Sequence, residues 1–316
     1  HPIAEGGLLP QQVGLLVDYT EKKSLKVSLG GKLSEKATEK DPIPLIRMRQ
    51  IVNVYKKVSG KISTDNKKDI EIGPIEFLLG KQWASTAVEA KYGILPFILT
   101  SVYGTAGAIL IGVPIGFMTA VYLSKLASKR VKGVMQAAVS LLAGIPSVVY
   151  GLVGMLVLVP GIRKFFNVPD GASLLASIIV LAIMILPSII KMSITALDAV
   201  PRDYEDASLA LGATKIETYF RVSIPAAKSG IAAAVVLGVG RAIGEAMAVM
   251  MVAGNAPNMP DSLFQSVRFL TTAVSSEMSY SSGLQRQALF SIALVLFLFI
   301  TLINATLNFF LKKEKE

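Results

Sequence analysis

The sequence has 316 residues, of which 52% are hydrophobic and only 17% charged, and its mean hydropathy is +0.57. A chain this apolar cannot maintain a wet surface, so the composition points to a membrane protein, although its formal net charge is +10. The absence of cysteine excludes a disulfide framework, a thiolate metal site and a cysteine nucleophile, and the one histidine is His1. We therefore predict no catalytic residues and no metal site.

The first part of the chain is polar and rich in lysine. Residues 1–72 contain segments such as GGKLSEKATEKD and SGKISTDNKKD, and none of their apolar runs is long enough to cross a bilayer. Residues 43–58 form a short basic amphipathic pattern, which indicates a surface or interfacial segment. We predict a separate polar N-terminal segment over 1–72 and a transmembrane domain over 73–316.

Long apolar runs then follow one another. A bilayer core of about 30 Å needs roughly 20 apolar residues in a helix. Five such runs are present, at 94–123, 134–159, 173–194, 230–253 and 288–311. Several contain Gly and Pro, which membrane helices tolerate. The runs predict an all-α, multi-spanning membrane protein; buried helices of a large soluble protein are the less favoured alternative.

The basic residues between these runs predict the orientation of the chain. Segments 124–133, 191–228 and 312–316 together hold twelve Lys and Arg, against four on the other side of the membrane. Basic residues are retained on the cytoplasmic side, so the C-terminus is predicted to be cytoplasmic. This distribution also explains the positive charge without a nucleic acid partner, because the basic residues do not cluster on one aromatic-rich face.

A patterned polar segment, 201–225, separates the third and fourth runs. Pro201 suits the first turn of a helix, Gly212 permits a turn, and apolar residues recur at helical spacing on both sides of it. The segment predicts two short helices on the cytoplasmic side. Periodicity alone does not separate a docking surface for a partner from a solvated amphipathic loop.

Two charged residues, Arg241 and Glu245, lie inside the fourth run. Charges at the centre of a membrane helix cost about 2.5 to 3.5 kcal/mol each on insertion scales, so they usually face a polar interior. Their i, i+4 spacing predicts that they share one helical face and can pair. A guanidinium suits phosphate oxygens, and a nearby carboxylate can accept the proton of hydrogen phosphate, which sulfate lacks. A packing salt bridge is the alternative.

A helix break is predicted inside the second run, where Gly144, Pro146 and Ser147 occur together. Such a break can open backbone groups toward a pathway, and a simple packing kink fits the same residues.

Four segments of the sequence resemble the permeases of ABC importers. Glu205, Ala207, Gly212 and the run 222–225 are similar to the EAA loop of that family, although Asp206 stands where the family has alanine. GRAIGEAMAVMMVAGN (240–255), LLAGIPSVVYGLVG (141–154) and SLFQSVRFLTTAVSSEM (262–278) resemble phosphate permeases of the PstC type. The resemblance covers 73–316 and not 1–72, where the family has a further membrane helix.

The resemblance implies a type I ABC importer transmembrane domain that serves as the permease subunit of an inorganic phosphate importer in the bacterial inner membrane. Arg241, Glu245 and Ser147 would line the substrate pathway. The ATPase-coupling loop would include Glu205, Asp206, Ala207, Gly212 and Pro225.

The resemblance also implies partners. These are a second permease subunit of the PstA type, two cytoplasmic ATPase subunits of the PstB type and an extracytoplasmic phosphate-binding protein of the PstS type. The sequence holds no GxxxxGK[ST] loop, so ATP would be used by the partner ATPase and no cofactor would be bound by this chain. A permease for another oxyanion, an ion-coupled secondary transporter and a non-transporting scaffold are the alternatives.

Overall fold

The computed structural model describes residues 72–85, 87 and 90–313, with side chains as far as residue 306. The predicted N-terminal segment, up to residue 71, and its amphipathic stretch 43–58 lie outside the described residues. The described part is mainly helical, as the apolar runs predict. Its helices are α1 Pro74–Leu79, α2 Leu95–Val121, α3 Lys129–Gly144, α4 Ser147–Val153, α5 Val159–Phe166, α6 Leu174–Asp198, α7 Arg202–Ala210, α8 Lys215–Thr218, α9 Ile224–Ala226, α10 Lys228–Gly244, α11 Met247–Val252, α12 Leu270–Glu277 and α13 Gly283–Lys313.

Short elements complete this list. Strands β1 (Trp83–Ala84) and β2 (Lys91–Tyr92) pair antiparallel before α2, with Trp83 opposite Tyr92. π-helical turns extend α2 over Tyr122–Leu126, join α4 to α5 over Gly154–Leu158 and connect α8 to α9 over Tyr219–Ser223.

Four helices in the described part are long and apolar enough to cross a membrane, at Leu95–Leu126, Ser147–Phe166, Leu174–Asp198 and Gly283–Thr306. A fifth span is obtained only if Lys215–Ala226 and Lys228–Gly244, which meet at a bend of 68°, are counted as one. The apolar runs at 94–123, 173–194 and 288–311 correspond to α2, α6 and α13.

The apolar run 134–159 is not one continuous helix, and the break that was predicted inside it is present. It is divided between α3 and α4 at Pro146, which has no N–H to give to the Leu142 carbonyl one turn earlier. The Tyr150 hydroxyl donates a hydrogen bond of 2.7 Å to that carbonyl instead. The membrane-length helix on this part of the chain is therefore Ser147–Phe166, which begins after the break.

The predicted fourth span, 230–253, is also not one helix. α10 ends at Gly244, and Glu245 has extended backbone angles (φ −74°, ψ 125°) before α11 begins. The break falls on a residue that was predicted to line the substrate pathway.

Helix α6 lies at the centre of the described helices and is the most buried of the membrane-length helices. Small residues allow its neighbours to approach closely. A Cβ at Gly112 of α2 would lie 2.7 Å from Ile185 Cδ1, and one at Gly238 of α10 would lie 3.1 Å from Ile189 Cδ1. Close helix packing through glycine is the usual way in which membrane helices associate.

The N-terminus of α6 is held by the irregular segment between α11 and α12. The backbone N–H groups of Leu174 and Leu175 donate to the carbonyls of Gln265 (3.1 Å) and Leu263 (2.8 Å). These are groups that a helix start otherwise leaves without partners. The contacts fix the start of α6 against the chain that follows α11.

Candidate functional site

The centre of the candidate site is the break between α10 and α11. The Glu245 carboxylate turns back toward its own chain, where Oε1 accepts a hydrogen bond of 3.1 Å from the N–H of Ala248 in the first turn of α11. The Glu245 carbonyl accepts a hydrogen bond of 2.9 Å from Thr271 Oγ1 of α12. Both the side chain and the carbonyl of Glu245 are therefore engaged by groups other than Arg241.

Arg241 lies on the last turn of α10 and is half-buried. One guanidinium nitrogen donates a hydrogen bond of 3.1 Å to Ser188 Oγ on α6, and this is the one hydrogen bond between the guanidinium and a described residue. A guanidinium carries five N–H donors in a planar fork, so most of its donors stay available to an anion.

The predicted pairing of Arg241 with Glu245 was wrong for this structure. The ion pairs among the described residues do not include these two side chains, although both are described. The i, i+4 argument requires a continuous helix, and α10 ends one residue before Glu245. The structure thus brings Arg241 toward α6 and Glu245 toward α11 and α12.

Open space adjoins these two residues. A Cβ added at Gly240 or at Gly244 would have no atom of a neighbouring element within 4 Å. A Cβ at Gly238, which packs on α6, would lie 3.1 Å from Ile189. This difference separates a packed face of α10 from a face that a ligand or a neighbouring subunit could occupy.

The helix break at Pro146 is followed by α4, and α4 packs against α11, the helix that follows the break at Glu245. A Cβ at Gly151 of α4 would lie 2.8 Å from Ala248 Cα of α11, so the two helices are in direct contact. Tyr150, beside Gly151, lies within electrostatic range of Arg241. Ser147 begins α4 and is half-buried, but it makes no hydrogen bond to Arg241 or Glu245. The place of Ser147 in the substrate pathway stays a prediction.

The segment 201–225, which was predicted to be the ATPase-coupling loop and is called the coupling loop below, contains α7, the turn around Gly212, α8, the π-helical turn Tyr219–Ser223 and the start of α9. Gly212 has φ +90°, a conformation that side-chain-bearing residues rarely adopt. Thr214 and Glu217 form a capping box at the start of α8. Two helices around a glycine turn were predicted, and the turn and the helices are present.

Glu205 attaches the coupling loop to the rest of the protein. Its Oε1 accepts hydrogen bonds from Lys125 Nζ at the end of α2 (2.5 Å) and from Ser223 Oγ (2.8 Å). Partial burial opposes ionisation, but these two hydrogen bonds and the charges of Lys125 and Arg202 outweigh it and lower the pKa of Glu205 below 4.5. Glu205 is therefore a structural anchor in its ionised form.

The outer surface of the coupling loop is apolar. Tyr204, Leu211, Ile216 and Phe220 are each more than half exposed, and Leu211 is 91% exposed. Asp206, Ala207 and Pro225, all predicted coupling residues, are exposed as well. An exposed apolar surface beside exposed polar residues is typical of a surface that a partner covers.

Sequence reasoning missed three residues that hold these sites together. Ser188, Thr271 and Lys125 contact Arg241, Glu245 and Glu205 from other parts of the chain. Ser and Thr are frequent in membrane helices, and Lys125 was counted only as a cytoplasmic basic residue. No local pattern marks any of the three.

Comparison with known proteins identifies similar chains. The family model described as the binding-protein-dependent transport system inner membrane component matches residues 112–314. The probable ABC transporter permease protein YqgH of Bacillus subtilis is 43% identical over 74% of this chain and 77% of its own length. The phosphate transport system permease protein PstC of Haemophilus influenzae is 36% identical over 72% of this chain and 78% of its own length.

Solved structures share the fold. A chain of the MetNI methionine ABC transporter in an inward-facing conformation superimposes with a TM-score of 0.52 and 19% identity, over 70% of this chain and 94% of that one. A chain of a bacterial ABC transporter that imports the polysaccharide alginate gives a TM-score of 0.57 with 14% identity, over 87% of this chain and 94% of that one. At these identities the likeness concerns the fold alone.

Proposed function

The chain belongs to the family of binding-protein-dependent transport system inner membrane components, and from that premise we propose that it is the permease subunit of an ATP-driven importer of inorganic phosphate. As a member of this family it is a multi-pass inner-membrane protein and a transporter component rather than an enzyme. It works with an ATPase, a substrate-binding protein and a second permease subunit.

The observation that carries phosphate as the substrate is Arg241. It is a half-buried cation on a membrane-spanning part of the chain, oriented by Ser188 and bordered by the open space at Gly240 and Gly244. A half-buried guanidinium in a membrane-spanning segment is costly unless an anion or a partner uses its donors. Relatives named as phosphate permeases at 33% to 36% identity support phosphate as that anion.

Glu245 and Ser147 complete the proposed pathway. The Glu245 carboxylate uses one oxygen for Ala248, so its other oxygen is available to accept a hydrogen bond from the P–OH group of hydrogen phosphate. Sulfate, which is fully ionised at neutral pH, has no such proton. Ser147, at the start of α4 after the helix break, would line the neighbouring part of the same pathway.

The finer description of the partners also belongs to the proposal. The second permease subunit would be of the PstA type, the two ATPases of the PstB type and the binding protein of the PstS type. The exposed apolar residues of the coupling loop would dock on the ATPase, which puts this loop and the C-terminus on the cytoplasmic side. ATP would be bound by the ATPase, and this chain would hold no cofactor.

The experiment is uptake of labelled phosphate into vesicles that contain the full complex. The proposal predicts uptake that requires ATP and stops when the partner ATPase carries an inactivating substitution. Phosphate uptake that continues with an inactive ATPase and follows an ion gradient would contradict it and favour a secondary transporter. Competition by sulfate as effective as that by unlabelled phosphate would contradict the choice of substrate.

A further inference from the structure

The break between α10 and α11 has no proline to cause it. Residues 240–252 contain none. Gly244, the last residue of α10, makes a break easier, and a side chain that inserts into the helical hydrogen bonds is a further usual cause. In a continuous helix the Glu245 carbonyl would accept the N–H of Val249. Here it accepts the Thr271 hydroxyl instead. The Thr271 hydroxyl therefore satisfies the carbonyl that the Val249 N–H would satisfy in a continuous helix.

The surrounding structure holds Thr271 in place beside the Glu245 carbonyl. It is 7% exposed, and it lies in the first turn of α12. The Leu270 N–H beside it donates a hydrogen bond of 3.0 Å to Ser101 Oγ of α2, and the Phe269 N–H donates to Thr272 Oγ1 at 3.0 Å. At the other end of α12, Glu277 forms an ion pair with Arg268. The hydroxyl thus approaches Glu245 from a fixed helix.

The alternative to the break is the arrangement that the sequence alone suggests. If the helix continued, the Glu245 N–H would bond to the Arg241 carbonyl, and the two side chains would share one face at i, i+4. A carboxylate beside the guanidinium would occupy the donors that an oxyanion needs. The same residues would then form a closed ion pair in place of an open anion site.

We infer that Thr271 is a positioning residue that keeps Glu245 away from Arg241, so that the guanidinium stays available to an oxyanion. The inference rests on the proposed function, since it assigns Thr271 to the phosphate pathway built on Arg241. It adds two alternative states to that pathway. In the first, the helix is broken at Glu245 and Arg241 donates to Ser188. In the second, the helix is continuous and Arg241 forms an ion pair with Glu245.

The first test compares Thr271→Val, which removes the hydroxyl at nearly constant shape, with Thr271→Ser, which keeps it. In the assembled complex Thr271→Val raises the KM for phosphate uptake roughly fivefold, the effect of one net hydrogen bond, and Thr271→Ser matches the parent. Added to Glu245→Gln, Thr271→Val has no further effect on KM, because no carboxylate remains to compete. Equal KM values for Thr271→Val and Thr271→Ser, or an additive effect with Glu245→Gln, would overturn the inference.

A second test follows the break directly and does not depend on transport. The chain has no cysteines, so spin labels can be attached at Ala233 and Met247, which are both exposed. Fourteen residues of straight helix span about 21 Å. We expect Thr271→Val to shift the distance between the two labels toward the value for a straight helix. Thr271→Ser should give the same distance as the parent protein. A parent-like distribution in Thr271→Val would exclude the positioning role, whereas unchanged phosphate uptake in Arg241→Ala would refute only the proposed function.

Discussion

Lys125 and Glu205 lie 80 residues apart in the sequence, and the Lys125 ammonium donates a hydrogen bond of 2.5 Å to Glu205 Oε1. Their side chains are only 11% and 19% exposed. The contact joins the end of α2, a membrane-spanning helix, to the coupling loop. In a transporter driven by an ATPase, a movement of the loop would reach α2 through this pair.

Replacing Lys125 should therefore weaken the mechanical connection without removing the docking surface. We expect Lys125→Ala to lower the amount of phosphate taken up per ATP hydrolysed, because a charge-assisted hydrogen bond worth about 1.5 to 3 kcal/mol is lost. The measurement is paired uptake and ATP hydrolysis in proteoliposomes. Lys129→Ala, at an exposed position outside this contact, is the matched control. An unchanged ratio in Lys125→Ala would show that the pair carries no coupling.

The same pair predicts a dependence on pH. The pKa of Glu205 is lowered below 4.5, so its ionised form stabilises the folded loop above that pH, and the stabilisation is lost as the pH falls through the lowered pKa. We expect the parent complex to melt at a higher temperature than Glu205→Gln near neutral pH. The difference should shrink as the pH falls below 4.5. A difference that grows on acidification would have the wrong sign for this account.

Ser188 offers a test of how Arg241 is oriented. Its hydroxyl oxygen accepts from the guanidinium, so its own proton is left to donate to an anion. We expect Ser188→Ala to raise the KM for phosphate about tenfold, since hydrogen bonds to charged groups are worth about 1.5 kcal/mol or more. Ser193→Ala on the same helix is the control, because the buried Ser193 hydroxyl has no partner among the described residues. Equal effects of the two substitutions would contradict the role of Ser188.

The ion pair at the C-terminal end of α12 should contribute to the stability of the protein. Glu277 accepts hydrogen bonds from Trp83 Nε1 (3.3 Å) and Gln285 Nε2 (3.0 Å), and forms an ion pair with Arg268. We expect Glu277→Ala to lower the free energy of unfolding by about 2 to 3 kcal/mol, less than for a fully buried pair because both side chains keep some exposure.

Thermal melting of the purified complex measures this loss. Glu76→Ala, at an exposed position on α1, is the control and should melt with the parent. If Glu277→Ala also melted with the parent, the ion pair would add nothing to the attachment of α12.

Much of the fold could be predicted from the sequence, because a long apolar run has few structures open to it in a bilayer. Helices α2, α6 and α13 follow this rule. The break at Pro146 was also readable, since proline lacks the N–H that would continue the helix. The break at Glu245 was not, because the group that stabilises it, the Thr271 hydroxyl, comes from 26 residues further along the chain.

The candidate site could likewise be predicted from the sequence only in part. The positions of Arg241 and Glu245 inside an apolar run predict a functional role for both, because charges there are costly. The prediction that these two residues pair with each other was wrong, since i, i+4 spacing predicts a contact only where the helix is continuous. Ser188 lies 53 residues before Arg241, and no spacing rule connects residues on two different helices. Local chemistry thus identified the charged residues, and tertiary packing decided what they touch.

The most direct test of the central claim is ATP-dependent uptake of phosphate and sulfate by the full complex, with the parent compared with Arg241→Ala, Arg241→Lys and Glu245→Gln at matched subunit levels. We predict that Arg241→Ala abolishes phosphate uptake while assembly is retained. Arg241→Lys should retain a fraction, since an ammonium keeps the charge but not the planar fork, and Glu245→Gln should reduce the preference for phosphate over sulfate. Normal phosphate uptake by assembled Arg241→Ala would contradict the account, because the anion pathway would then lie elsewhere.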